Sequence, residues 1–298
     1  MLDNLDVAYL NNYKSYLKLE KGLSYNTING YLSDIEKFLT EIEQNSNSIT
    51  LSNIQDYFFN LVELRIADST IQRKLSSLKG YFSFLVEEGN ELSFALNKLP
   101  TIKKSKKLPL VLSVKEMKKL LNSIPTDGKL NARNKAILEL MYACGLRVSE
   151  LIEFSLHDII WEQQLIRVVG KGNKQRLIPI FREALDYLDF YINHYRARLK
   201  KDKLTDIVFL NRSGKKLSRM GIWKIVKKLA HNAGLTKWKK IHPHSVRHSF
   251  ATHLVENGAN LRIVQTLLGH ESINTTQIYT NISKSHLKKI YKKYHPRK

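Results

Sequence analysis

The stretch PTIKKSKKLP, residues 100–109, sets two prolines around four lysines and contains no acidic residue. Proline biases the residue before it toward extended backbone, and a run of like charges with nothing apolar to bury has no reason to fold back. The segment therefore reads as a basic linker, residues 101–110, joining a domain of residues 1–100 to one of residues 111–298. The length agrees, because 298 residues lie at the size where one hydrophobic core usually gives way to two.

Charge divides at the same place. Residues 1–100 carry 9 Lys or Arg against 13 Asp or Glu, a balance of −4, whereas residues 101–298 carry 40 against 14, a balance of +26. A field of that size attracts polyanions, and nucleic acid is the polyanion it suits best. A membrane surface is disfavoured as partner: the cations spread over nearly 200 positions instead of lining one amphipathic helix. No apolar run approaches the ~20 residues needed to span a bilayer, and no basic segment precedes an apolar block at the N-terminus, so a cytoplasmic protein is expected. The single cysteine, Cys144, lies in an apolar helical run, where burial is its expected fate; it leaves no internal disulfide or multi-cysteine metal site to form.

Before the linker, the pattern predicts four or five amphipathic helices. Ser24 can cap a helix over residues 25–43, with Tyr31, Ile35, Phe38 and Leu39 at helical spacing, and Thr50 or Ser52 can cap the next. A further helix starts near Ser69 and lines up Ile71, Leu75, Leu78, Phe82 and Leu85. Arg73, Lys74 and Lys79 occupy its other faces, either as a solvated surface or as phosphate contacts.

After the linker the pattern is mixed. Ser113 opens a short helix, and Gly145 ends the run ARNKAILELMYACG as a C-cap. Arg147 begins another helix, VSELIEF. QLIRVV (164–169) and QRLIPI (175–180) alternate like strands around the turn-rich GKGNK, which predicts a β-hairpin. Helices resume over residues 182–201, IVFL (207–210) is expected to form one more short strand, and four helices follow at 219–234, 244–258, 261–270 and 274–280. A basic tail, residues 283–298, closes the chain. The fold class is thus mainly α with a small β-hairpin or sheet.

The segment HPHSVRHSFATH (242–253) first suggests zinc, since His244 and His248 stand four apart on a helix. Arg247 lies between them, however, and the nearest carboxylate is Glu256, so no metal is expected. His248 and His253 read better as residues that cap or pack the helix.

Taken in order, Arg147 in ACGLRVSEL, Lys171 in VGKGNKQR, His244 and Arg247 in HPHSVRHSFATHL, His270 in LLGHESINTTQIY, and Tyr279 nine residues beyond that histidine form one pattern. The pattern resembles the tyrosine recombinases, also called phage integrases, and the compact length resembles their Xer branch. The resemblance spans the chain. It implies a DNA clamp made of a helical, SAM-like core-binding domain and a catalytic domain, with no cofactor and no metal. It further implies that Tyr279 attacks a DNA phosphodiester and is left joined to the 3′-phosphate, that Arg147, Arg247 and His270 hold the phosphate, that His244 serves as base or phosphate ligand, and that Lys171 protonates the leaving 5′-oxygen.

Elementary chemistry agrees with these roles. A phosphodiester gains charge on its nonbridging oxygens on the way to a pentacoordinate transition state, and two guanidinium forks supply positioned, permanently charged donors. Tyrosine, with an ordinary pKa of ~10, is a weak nucleophile until nearby positive charge favours its oxyanion. The phosphotyrosine conserves bond energy, so rejoining needs no ATP; the chain has no Gly-rich Lys-Ser/Thr phosphate loop.

By the same resemblance, four protomers, of one kind or with a sister Xer recombinase, would join two double-stranded DNA sites through a Holliday junction and resolve chromosome or plasmid dimers under a septal DNA translocase. The tail would dock on a neighbouring protomer, with a frayed DNA-contacting end as the plainer reading. A mobile-element integrase with the same chemistry, a catalytically silent DNA-binding protein and a metal-dependent nuclease built on the histidines are the alternatives.

Overall fold

The computed structural model describes residues 2–92, 94–99, 110–170, 175–200, 205–269 and 290–297. The chain divides into two compact units, Met1–Lys107 and Leu108–Lys298, and each encloses a core of its own.

The first unit contains α1 (Asn4–Leu19), α2 (Tyr25–Ile42), α3 (Leu51–Glu63) and α4 (Asp68–Glu87). Side chains cap three of them: Asp3 accepts the Asp6 N–H, Ser24 accepts that of Thr27, and Thr50 exchanges reciprocal bonds with Asn53. The fourth begins after Ala67 without a side-chain cap, one residue before the expected start near Ser69. Ile35, Phe38, Leu78 and Phe82 are fully buried, as their helical spacing predicts. A short 3-10 turn, Leu96–Lys98, leads out of the unit.

In the second unit, α5 (Val114–Asn122) opens with a capping box between Ser113 and Glu116, and α6 (Lys129–Cys144) ends on Gly145 at φ 58°. Helix α6 is buried on all sides and serves as the axis of the unit, packed against α8 (Arg182–Tyr191) and α11 (Pro243–Glu256). Its charged residues find internal partners: Lys135 donates to the Leu121 carbonyl at 2.7 Å and pairs with Glu139 at 3.0 Å. Cys144 is buried, and burial raises its thiol pKa far above the ordinary value.

The expected hairpin is present as β2 (Leu165–Val169) and β3 (Gln175–Pro179), antiparallel with Val169 opposite Gln175 and Leu165 opposite Pro179. A third strand, β1 (Ile159–Ile160), adds to the outer side of β2. Two residues carry too little alternation to mark a strand in sequence. IVFL forms no strand: Ile207 and Leu210 make only isolated bridges, to Ser155 and Lys216. The helix expected over residues 182–201 changes its hydrogen-bond pitch instead of running through. After α8 comes a π-helical stretch, Ile192–Arg196, then one α-turn, α9 (Ala197–Leu199). Within that stretch Arg196 is held by the carbonyls of Thr205 and Ile207 at 2.7–3.0 Å.

Helices α7 (Val148–Glu153), α10 (Arg219–Asn232), α11 and α12 (Leu261–Leu268) complete the unit. The helix expected over 274–280 lies outside the described residues. No helix among the described residues is long and apolar enough to cross a membrane.

The plainer reading of the tail, a frayed end, does not hold for the described residues at the chain end. Residues 290–297 do not fray; they are seated on their own unit. Tyr291 is 2% exposed and its hydroxyl donates to the Ala143 carbonyl at 2.9 Å. His295 lies among Tyr142, Phe181, Phe250 and Tyr291. Arg297 bonds both oxygens of buried Glu139, at 2.8 and 2.9 Å, and also pairs with Glu183. Apolar and aromatic residues at 290, 291, 294 and 295 cover α6, and Arg297 adds a second positive charge to Glu139 beside that of Lys135.

Candidate active site

Three of the six residues singled out by motif lie among the described residues, and the elements that carry two of them converge on Glu150. Glu150 is the third residue of α7, where its carboxylate reaches back to accept the Arg147 N–H at 2.7 Å. The same carboxylate accepts Arg147 Nη1 at 2.9 Å and a two-pronged bond from Arg176 of β3, Nη1 to Oε1 at 2.8 Å and Nη2 to Oε2 at 2.9 Å. Arg247 Nη1, from α11, stands 3.7 Å from Oε2. Three guanidinium groups thus share one carboxylate, leaving two positive charges uncompensated at this point.

Backbone carbonyls fix where the forks point. Arg247 donates from Nη1 to Gly145 O and from Nη2 to Leu268 O, both at 2.6 Å. Arg147 donates from Nη2 to Gly269 O at 2.8 Å, and Arg176 donates from Nε to Leu267 O at 2.9 Å. Each acceptor belongs to the last residues or cap of a helix, where carbonyls lack helical partners. Glycine caps at Gly145 and Gly269, both left-handed, turn α6 and α12 sharply enough to present them.

The electrostatics follow. Burial would raise the Glu150 carboxyl, but the bonds from Arg176 and Arg147 outweigh it and hold its pKa below the ordinary value. Burial, with Arg147 and Arg176 nearby, pushes Arg247 down to about 10 against the pull of Glu150, so it stays charged at neutral pH. Exposure separates the roles: the Arg147 side chain is 33% exposed and open to a ligand, whereas those of Arg176 and Glu150 are 4% and 3% exposed.

His244 sits in the first turn of α11, exposed. Partial desolvation of its ring, together with His248, Arg247 and Arg147, lowers its pKa, so the neutral base predominates near pH 7. His248 is exposed as well. His253 is buried and structural: it bonds the Tyr142 hydroxyl through Nδ1 and the Leu112 carbonyl through Nε2, each at 2.8 Å. The adjacent Ser249 hydroxyl accepts the Leu112 N–H at 2.8 Å, so α11 is anchored to the segment that enters the unit. Among the described residues no group of three or more His, Cys, Asp or Glu is arranged to hold a metal ion.

The structure thus brings together Arg147, His244 and Arg247 of the motif set. Lys171, His270 and Tyr279 lie outside the described residues. In sequence, Lys171 lies between β2 and β3, and His270 is the residue after Gly269. Glu150 and Arg176 were not singled out from sequence. A signal for Arg176 exists: it shares the inward phase of β3 with buried Ile178, an unusual place for a charge without a partner.

In the helical unit, Arg73 pairs with Asp34 and donates to Gly30 O, yet its side chain remains 47% exposed. Lys74 is neither freely solvated nor aimed outward. Its ammonium donates to the Tyr57 hydroxyl at 2.7 Å, and desolvation lowers its pKa. Lys79 is half-buried and has no charged partner among the described residues.

Comparison with known proteins places this geometry. Residues 111–286 match the model of the phage integrase family, and residues 10–89 match that of the phage integrase N-terminal SAM-like domain. The chain is 41% identical over 288 residues to the tyrosine recombinase XerD of Oceanobacillus iheyensis, covering 95% of this chain and 96% of the relative. It is also 41% identical over 296 residues to that of Halalkalibacterium halodurans, covering 96% and 98%. Among solved structures, the XerH site-specific recombinase bound to palindromic difH substrate in a post-cleavage complex superposes with a TM-score of 0.71 at 25% identity, over 94% of this chain and 83% of that one. The mainly helical fold with its small sheet is that of these proteins, and the chain belongs to the phage integrase family, the tyrosine recombinases, within their XerD branch.

Proposed function

We propose that this protein recombines double-stranded DNA at specific sites, cutting and rejoining strands through a 3′-phosphotyrosyl link to Tyr279 and a Holliday junction. The observation that carries the reading is the cluster around Glu150: Arg147 and Arg247 are fixed by carbonyls and by a shared carboxylate, with two net positive charges left for an anion. A scissile phosphate, and more so its pentacoordinate transition state, satisfies that surplus. Neutral His244, beside the two arginines, can accept a proton or donate to a phosphate oxygen. His270, one residue past the Gly269 cap, adds a further donor to the phosphate, and Lys171, in the hairpin loop, protonates the leaving 5′-oxygen.

The helical unit contributes backbone contacts through Arg73 and Lys79, and Lys74 supports that face through Tyr57. The basic linker of residues 101–110 adds positive charge that suits the DNA backbone. Four protomers, alike or paired with a sister Xer recombinase, join two sites in the cytoplasm and resolve chromosome or plasmid dimers at segregation, with a septal DNA translocase as activator. The similarity to XerD relatives over nearly the whole chain favours this role over integration of a mobile element.

The test uses a nicked duplex carrying the site recovered by binding selection from fragmented genomic DNA. In EDTA, the protein should form a covalent adduct with this duplex that Tyr279→Phe does not form. An adduct persisting in Tyr279→Phe would overturn the nucleophile, and loss of cleavage in EDTA would point to a metal-dependent nuclease.

A further inference from the structure

We propose that Arg176 is a positioning residue for strand cleavage, holding Glu150 so that Arg147 and Arg247 stay turned toward the scissile phosphate. The inference rests on the reading that those two arginines bind that phosphate. Both oxygens of Glu150 are occupied by the planar fork of Arg176, at 2.8 and 2.9 Å, in a setting almost closed to water. The next cations are Arg147 at 2.9 Å and Arg247 at 3.7 Å. A buried carboxylate stripped of its main counter-charge does not remain unpaired, because the cost of leaving it so exceeds that of moving a neighbour. Removing Arg176 would draw Arg147 and Arg247 inward onto Glu150, and the charge meant for substrate would be neutralised inside the protein.

Arg176 also ties the loops into one register. Its Nε bonds Leu267 O, and its guanidinium lies so near Gly269 that a Cβ there would stand 3.0 Å from Nη1 and 3.2 Å from Cζ. Gly269 O is itself an acceptor for Arg147, and residue 270 follows. One side chain from β3, the strand leaving the Lys171 loop, therefore touches the α7 carboxylate and the α12 cap that bracket Arg147.

The experiment compares Arg176→Met with the unaltered protein at saturating concentration and below the melting transition. First-order rates of covalent adduct formation are measured on the nicked duplex described above and on the same duplex with one nonbridging oxygen of the scissile phosphate replaced by methyl. The phosphodiester should be cleaved roughly ten- to a hundredfold more slowly by the variant. On the neutral methylphosphonate, which needs less cationic support, the two proteins should differ by less than about threefold. An equal slowing on both substrates, or a parallel loss of DNA binding, would mean that Arg176 only holds the fold together and would overturn the proposal. Arg176→Gln carries the same comparison if the methionine variant melts too low, since it removes the charge while keeping a polar side chain that can donate to Glu150. If the unaltered protein forms no Tyr279-dependent adduct, the recombinase reading fails; normal cleavage by the variants refutes the role of Arg176 alone.

Discussion

Replacing Gly145 by alanine should damage stability and chemistry together, and the size of the effect follows from the geometry. Gly145 has φ +58°, a conformation that costs an alanine about 1 kcal/mol. A Cβ built there would stand 2.4 Å from Cδ1 and 2.7 Å from Cε1 of Phe250, and 3.1 Å from Cδ2 of Leu268. Phe250 is fully buried and cannot swing away, so forced repacking adds about 1–3 kcal/mol. The total, about 2–4 kcal/mol, corresponds to a drop of roughly 5–15 °C in the melting temperature of a unit of this size. Gly234 provides the control. It also has positive φ, +63°, but its Cβ would meet only the flexible Lys119 Nζ at 3.5 Å, so Gly234→Ala should lose about 1 kcal/mol. Calorimetry of the two variants isolates the steric part. Because Gly145 O accepts from Arg247, Gly145→Ala should also slow adduct formation at temperatures where it is fully folded. Equal melting temperatures for the two variants would refute the reasoning.

Arg247→Ala should lower the rate of adduct formation far more than the affinity for DNA, measured by single-turnover cleavage and fluorescence anisotropy; a comparable loss of both would assign Arg247 to DNA holding. Tyr291→Phe should keep full cleavage and lose about 1 kcal/mol of stability with its bond to Ala143 O, and loss of the covalent adduct in that variant would argue against Tyr279. His295 is buried, and burial pushes its pKa down to about 4, below its value in the unfolded chain. The unfolded state thus binds the proton more readily, so the stability contributed by neutral His295 is present above about pH 6.5 and is lost as pH falls toward 4. His253 shifts in the same direction, and chemical denaturation of His295→Gln across that range should show a shallower acid loss than the unaltered protein.

What sequence revealed and what it concealed divide along physical lines. Ser24, Thr50, Ser113 and Gly145 act within four residues of the backbone they cap, so local pattern found them. The β2–β3 hairpin was legible from alternation, and Arg147, His244 and Arg247 from a motif whose spacing is family-wide. Glu150 and Arg176 were not, because a carboxylate shared by three guanidiniums is assembled from α7, β3 and α11, and no segment displays the need for it. Local pattern also misread residues 207–210, where two bridges replace a strand, and could not show that Arg297 bonds a buried glutamate some 150 residues earlier in the chain.

The seat of residues 290–297 has a consequence for how the molecule is made. Tyr291 bonds Ala143, His295 packs on Tyr142, and Arg297 pairs with Glu139, joining residues made some 150 positions later to the helix at the centre of the second unit. Helix α6 cannot reach its final environment until residue 297 has left the ribosome. The first unit makes no such demand and can fold while the ribosome is still working. At roughly 5–20 residues per second, the second unit waits on the order of eight to thirty seconds with its central helix only partly covered. A chain truncated before residue 290 would leave the ribosome with that helix unfinished, and protease sensitivity of such products during translation is where the effect would be seen.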